Sequence, residues 1–255
     1  MIESANKGNL HKIVVLNPKG GCGKTTLATN IVNYYARQGA PPTLMDYDPQ
    51  GYSMRWLEKR PKTCAPVHGV TAYDALGSTL QNADHLVHEE SNVLVCDVPA
   101  AMEQDQIHDI AYDAHSILIP VMPSEIDVYS ASRFIAELLL VAQFDRRDGQ
   151  LAVVANRTRV NTRSFKTLMR FLTSLKIPIV SVLRDSQNYV HAAAHGVGIH
   201  DLPPHRASKD IFQMDLIINW LNLWRMRRLD SATTSQFEHL PGAEILTPAS
   251  IRPVR

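Results

Sequence analysis

No stretch of this 255-residue chain strings together the roughly 20 apolar residues that a membrane-spanning helix needs. The first twelve residues, Met1 to Lys12, are polar and hold no apolar core of the kind a secretory signal requires, so the cytoplasm is the expected compartment. Cysteine is sparse. Cys22, Cys64 and Cys96 lie too far apart for a zinc or iron–sulfur signature, and an odd count suits a reducing compartment better than a disulfide framework. Internal repeats and long low-complexity runs are missing too. What remains is an ordinary composition, 45% hydrophobic, enough for one sizeable α/β domain with a full core but not for a second large one.

The most informative segment is Asn17-Pro18-Lys19-Gly20-Gly21-Cys22-Gly23-Lys24-Thr25-Thr26, placed directly after the apolar Ile13-Val14-Val15-Leu16. A strand that ends in glycines opening a helix aims backbone N–H groups at an anion, and the helix N-terminus adds partial positive charge. Lys24 would reach the β- and γ-phosphates of a nucleotide, and the Thr25 hydroxyl would ligate Mg²⁺. The general phosphate-loop pattern asks for glycine where Pro18 stands, so the fit is to K-G-G-x-G-K-[ST]. Cys22, inside the loop, reads either as a small filler or as a thiol sensitised by the helix dipole.

Further along, Thr43-Leu44-Met45-Asp46-Tyr47-Asp48-Pro49-Gln50 is a short strand closing on two carboxylates, which at i and i+2 share a face. Asn92-Val93-Leu94-Val95-Cys96-Asp97 is a continuous apolar run ending in an aspartate, as suits a strand buried on both faces. Ile117 to Val121 and Leu151 to Asn156 repeat the pattern, each followed by a helix-length segment, Ser130 to Phe144 and Thr162 to Lys176. This alternation predicts right-handed crossovers: an α/β fold with a single doubly wound, mostly parallel sheet, helices on both faces and ligands at the strands' C-terminal ends.

The lysine ahead of the double glycine resembles the deviant Walker A loop of the ParA/MinD family of P-loop ATPases, and the resemblance covers about residues 11 to 228. It implies ATP and Mg²⁺ as ligands, with Lys19, Gly20, Gly21, Cys22, Gly23, Lys24, Thr25 and Thr26 around the phosphates. Lys19 would act across a homodimer on the partner's ATP. Thr25, Asp46 and Asp97 would serve the Mg²⁺ shell, Asp48 would position the attacking water, and Asn156 would contact adenine. The Pro-Lys-Gly-Gly loop and Trp56 to Arg60 look most like the short ParA-type subgroup, whose members ride nucleoid DNA without sequence preference, position or segregate a cargo, and respond to a ParB-like or cargo-adaptor activator. Plasmids, chromosomes, carboxysomes and chemoreceptor arrays are the implied range of cargo. Turnover is expected to be slow until the activator arrives.

The net charge of +1 hides a division. Arg157 to Arg228 carries 12 Lys or Arg against 4 Asp, a net +8, which leaves −7 for the remainder. Such a field attracts a polyanion through phosphate contacts, and Arg184, Arg206, Lys209, Arg225, Arg227 and Arg228 are the candidate DNA contacts. No separate helix-turn-helix is expected ahead of residue 11. The alternative for Ile211 to Leu229 is a membrane-surface helix, as in a MinD-like division-site regulator, but its apolar residues spread around most of the helix, as core packing predicts, and no membrane contact is expected. A metabolic ligase on the same fold is a further alternative; a nitrogenase-like reductase would need differently placed cysteines. His191 and His195 share a helical face without a third ligand, and are assigned to structure or dimer contact. The expected organisation is a flexible N-terminus over 1–10, a P-loop ATPase domain over 11–229 and a flexible tail over 230–255.

Overall fold

The apolar runs form strands because they can be buried on both sides, and two of them end on an aspartate, Asp46 and Asp97, at the sheet's rim. The computed structural model describes residues 10–73, 86–111, 114–141 and 150–231; the expected terminal extensions lie largely outside them. In chain order the elements are β1 (His11–Val15), α1 (Lys24–Ala36), β2 (Thr43–Asp46), α2 (Tyr52–Glu58), β3 (His68–Thr71), β4 (Val93–Asp97), α3 (Gln104–Ala111), β5 (Ser116–Val121), α4 (Glu125–Val141), β6 (Leu151–Thr158), α5 (Arg163–Ser174), β7 (Ile179–Arg184), α6 (Gln187–Ala194) and α7 (Pro204–Ser231), with a 3₁₀ turn over Ile199–Asp201.

The seven strands form one sheet in the order β3-β2-β4-β1-β5-β6-β7, and every pairing is parallel. The expected doubly wound α/β fold is present. From β1 the chain moves to one side through β2 and β3, then returns through β4 and crosses to β5 on the other. The order therefore reverses beside β1, and a crevice opens at the strands' C-terminal ends there.

Alternation along β1 divides the core. Val14 and Leu16 face a layer built with α3, α4 and α5, including Ile110, Phe134, Ile135, Leu138 and Leu168. Ile13 and Val15 face α1, α2 and α7, including Leu27, Ile31, Trp56, Ile217 and Trp220. Thr162 caps α5 by accepting the Phe165 N–H at 3.2 Å, and Ser186 caps α6 by accepting the Asn188 N–H at 3.2 Å.

The core-packing expectation for α7 holds. Ile217, Ile218, Trp220 and Leu221 are all buried. Each contributes about 1.5–3 kcal/mol, which lifting the helix onto a lipid surface would forfeit. Among the described residues no helix is long and apolar enough to cross a membrane.

Candidate nucleotide site

Register brings the acidic motifs to the phosphate loop. Asp97, the last residue of β4, pairs with Val15 of β1 on one side and with Asp46 of β2 on the other, so three motifs spread over 83 residues end at one level of the sheet. The loop from Asn17 to Gly23 rises from β1 at that level and feeds directly into α1.

The loop is held by groups within it and beneath it. Asn17, buried under the turn, donates from Nδ2 to the Pro120 carbonyl at 2.7 Å and accepts the Lys19 N–H on Oδ1 at 2.8 Å. Lys24 folds back so that its ammonium donates to the carbonyls of Asn17 at 3.0 Å and Lys19 at 3.3 Å. Gly21 and Gly23 adopt φ of 75° and 97°, which turn the peptide in the left-handed sense a side chain would resist. At Gly23 a second reason applies: a Cβ there would collide with Nδ2 of Asn156.

That asparagine is placed at the loop. Its Nδ2 donates to the Cys22 carbonyl at 2.7 Å and its Oδ1 accepts the Arg157 N–H at 2.9 Å. Arg157 has φ of 50°, a conformation costly for a residue with a side chain, and it turns this N–H back onto the amide. The Cys22 thiol is buried, and desolvation pushes its pKa up against the opposing Lys24 charge. This environment does not favour a thiolate.

The carboxylates differ sharply. Asp97 is buried, and desolvation is the main cause that raises its pKa to about 7; Asp46 and Asp48 add to the rise while the Thr25 hydroxyl and Lys24 oppose it. Its Oδ2 has no hydrogen-bond partner among the described residues. Asp46, also fully buried, accepts N–H groups from Asp48 at 2.9 Å and Met54 at 3.3 Å, which fixes the turn into α2. Asp48 is half-buried and accepts the Gln50 N–H at 2.9 Å. Lys19 is half-buried on the loop, and its ammonium pairs with no described carboxylate.

The donor set fits phosphates and Mg²⁺. Backbone N–H groups and lysine suit phosphate oxygens, and a hydroxyl beside an unpartnered buried carboxylate oxygen suits a hard cation that keeps most of its waters. Thr25 and Asp97, with Asp46 behind, are the residues that would hold it.

The candidate DNA contacts fall into three groups. Arg184 grips the fully buried Asp210 bidentately, at 2.6 and 2.7 Å, and Asp210 also accepts from Ser186 and Asn188. Arg206 and Lys209 are exposed near the start of α7 and pair with no described carboxylate. Arg225, Arg227 and Arg228 lie on the same helix, with side chains outside the described ones. His191 and His195 are exposed neighbours, with the His195 ring hydrogen-bonded to the His191 carbonyl at 2.9 Å. Sequence reasoning missed Asn17 and the buried Asp127, whose neighbour Ser124 holds both its carboxylate and its N–H. A polar residue between an apolar strand and Pro18 was the available signal for Asn17.

Fold and site together define a P-loop nucleotide-binding protein with two loop lysines. The profile of the CobQ/CobB/MinD/ParA nucleotide-binding domain matches residues 13–199, and the chain belongs to that family. It is 28% identical over 191 residues to the maintenance of carboxysome distribution protein A of Halothiobacillus neapolitanus, covering 74% of this chain and 87% of that protein. Among solved structures it resembles a putative plasmid partition protein of Borrelia burgdorferi bound to AMPPNP, with a TM-score of 0.65 and 14% identity over 82% of this chain and 99% of the other. A second is the ATP complex of a point variant of McdA from Cyanothece, with a TM-score of 0.61 and 17% identity over 91% and 99%. The chain is ParA-like, as its loop implied.

Proposed function

We propose that this protein is an ATPase that positions an intracellular cargo by cycling between an ATP-bound homodimer and a monomer. The observation that carries the reading is the pair of loop lysines in different states: Lys24 folded into its own loop, Lys19 half-buried beside it with no partner carboxylate among the described residues. Lys24 binds the phosphates of its own protomer. Lys19 reaches those of a partner, so that nucleotide binding and dimerisation become one event.

Thr25, Asp97 and Asp46 hold Mg²⁺, which supplies charge neutralisation at the β- and γ-phosphates. Asp48, the less buried of the paired aspartates, orients the attacking water, while Asp46 is committed to the backbone of the turn. Asn156 stands beside the loop where it can meet a base. DNA attracts the dimer through unpaired cations on its basic half, with Arg206 and Lys209 foremost among those described. The similarity to a carboxysome-distribution protein supports a large assembly as cargo. An activating partner stimulates hydrolysis and releases the dimer from DNA, which makes the protein nucleoid-associated in its ATP state.

The test is binding to random-sequence duplex DNA with ATP, ADP or no nucleotide, at two salt concentrations, with anionic liposomes in parallel. ATP-dependent binding that weakens steeply with salt is expected. Lipid binding without DNA binding would favour the division-site regulator, and binding to neither would favour a metabolic enzyme.

A further inference from the structure

A second cluster stands at the opposite rim of the sheet. His68 opens β3, and His88 and Glu90 lie in the turn before β4. One potential ligand atom from each falls within 4.8 Å of those of the other two, and no other described set of three does so. The His68 Nε2 is buried without a hydrogen-bond partner among the described residues, although the ring as a whole is partly open to solvent. An unpaired buried nitrogen costs about 1–3 kcal/mol, which a bound cation would remove.

The scaffold under this cluster is rigid. Thr43 pairs with His68 in the β2–β3 ladder, and its hydroxyl accepts the His88 N–H at 3.3 Å. The same hydroxyl donates to Ser91 Oγ at 2.9 Å, and Ser91 donates to the Pro41 carbonyl at 2.7 Å. Thr43 and Ser91 are both buried. A chain of hydrogen bonds from His88 through Thr43 and Ser91 to Pro41 therefore ties together both segments that carry the histidines.

We propose that His68, His88 and Glu90 form a binding site for a divalent transition-metal cation of the Zn²⁺ class, clipping strand β3 to the turn that precedes β4. Two imidazoles and a carboxylate suit Zn²⁺, Co²⁺, Ni²⁺ or Cu²⁺, and not the Mg²⁺ of the nucleotide site. The rings now stack in parallel, 3.5 Å between centroids and 4° between planes. Imidazole lone pairs lie in the ring plane, and parallel planes share no point, so one ring must turn for both to ligate one ion. His88 is the one that turns: it is exposed, and apart from the stacking its ring accepts one long 3.3 Å bond, from the Glu90 N–H, among the described residues. The site does not rest on the nucleotide reading, because it lies at the N-terminal rim of the sheet, where His68 opens β3 beside Thr43, while Asp46 and Asp97 end β2 and β4 at the opposite rim.

The test is titration of Zn²⁺ into chelator-treated, nucleotide-free full-length protein by calorimetry, with thermal unfolding in parallel. One equivalent of tight binding and a raised Tm are expected. His88→Ala and Glu90→Gln change exposed side chains, so both should fold, as circular dichroism would show. Each should weaken binding by more than the roughly 10- to 100-fold that loss of a mere outer-shell partner causes, and His88→Ala should abolish the Tm rise. Absence of binding by the wild type, or binding unchanged in both variants, would overturn the site.

Discussion

At the scale of single residues, Asp97 is a carboxyl that burial holds away from its charged form. Its pKa stands near 7 instead of its ordinary value of 3.8, chiefly through burial. A carboxyl whose folded pKa is raised stabilises the fold fully below the unfolded value and loses that contribution as pH rises. The nucleotide-free protein should therefore lose stability between about pH 4 and pH 7 and level off above, by an amount on the order of a few kcal/mol. Asp97→Asn, which stays neutral, should be more stable than wild type at pH 8, with the gap closing by pH 4. Urea unfolding at several pH values, without nucleotide, checks this. The aspartate's place at the end of an apolar strand was legible in the sequence, whereas its protonation depends on neighbours that the register alone brings near. Asn156 shows the same division. Its strand-end position could be read directly, but its bond to the Cys22 carbonyl spans 134 residues and follows from the β5–β6 pairing and the sharp turn at Arg157.

Between elements, the consequential contact is the one joining β7, α6 and α7 at Asp210. The basic run there reads from sequence as a phosphate-binding surface, since nothing local says which arginine already has a partner. Arg184→Ala would leave Asp210 buried with only the neutral donors Ser186 and Asn188. The expected loss is about 2 kcal/mol of stability, less than for a fully buried pair because Arg184 is 39% exposed. Lys209→Ala should change stability by no more than about 0.5 kcal/mol while lowering the salt slope of DNA binding by about one. Denaturant unfolding and DNA titration of the two variants separate these roles. A similar economy holds where the turn after α6 meets α2. Gly196, with φ of 66°, lets its backbone approach so closely that a Cβ would collide with the Arg60 nitrogen, and Trp56 donates to the Val197 carbonyl at 3.1 Å. Alternating apolar runs announced the parallel sheet and the longer helices α4, α5 and α7, but not the short α2, α3 and α6. They did not announce β3, a four-residue edge strand with a half-exposed pattern, β7, the edge strand at the other side of the sheet, or the order in which the strands lie.

For the whole molecule, the decisive question is whether one protomer suffices for turnover. Lys24→Ala should abolish nucleotide binding. Lys19→Ala should still bind ATP yet remain monomeric by size-exclusion chromatography with light scattering, and should not respond to an activator. A Lys19→Ala protein that dimerises normally with ATP would remove the trans role of that lysine. Charge asymmetry, visible in the sequence, gives the folded molecule a direction: the acidic motifs cluster around the loop, and the basic segment runs through β6, α5, β7 and α7.

The inward fold of Lys24 onto the Asn17 and Lys19 carbonyls has a kinetic consequence. The ammonium is already the resident guest of its own loop, so the empty loop keeps a defined shape and nucleotide entry is an exchange of partners, not a coil becoming ordered. Its on-rate should then depend on how quickly one cation trades two carbonyl oxygens for phosphate oxygens, with little entropy left to lose in closing the loop.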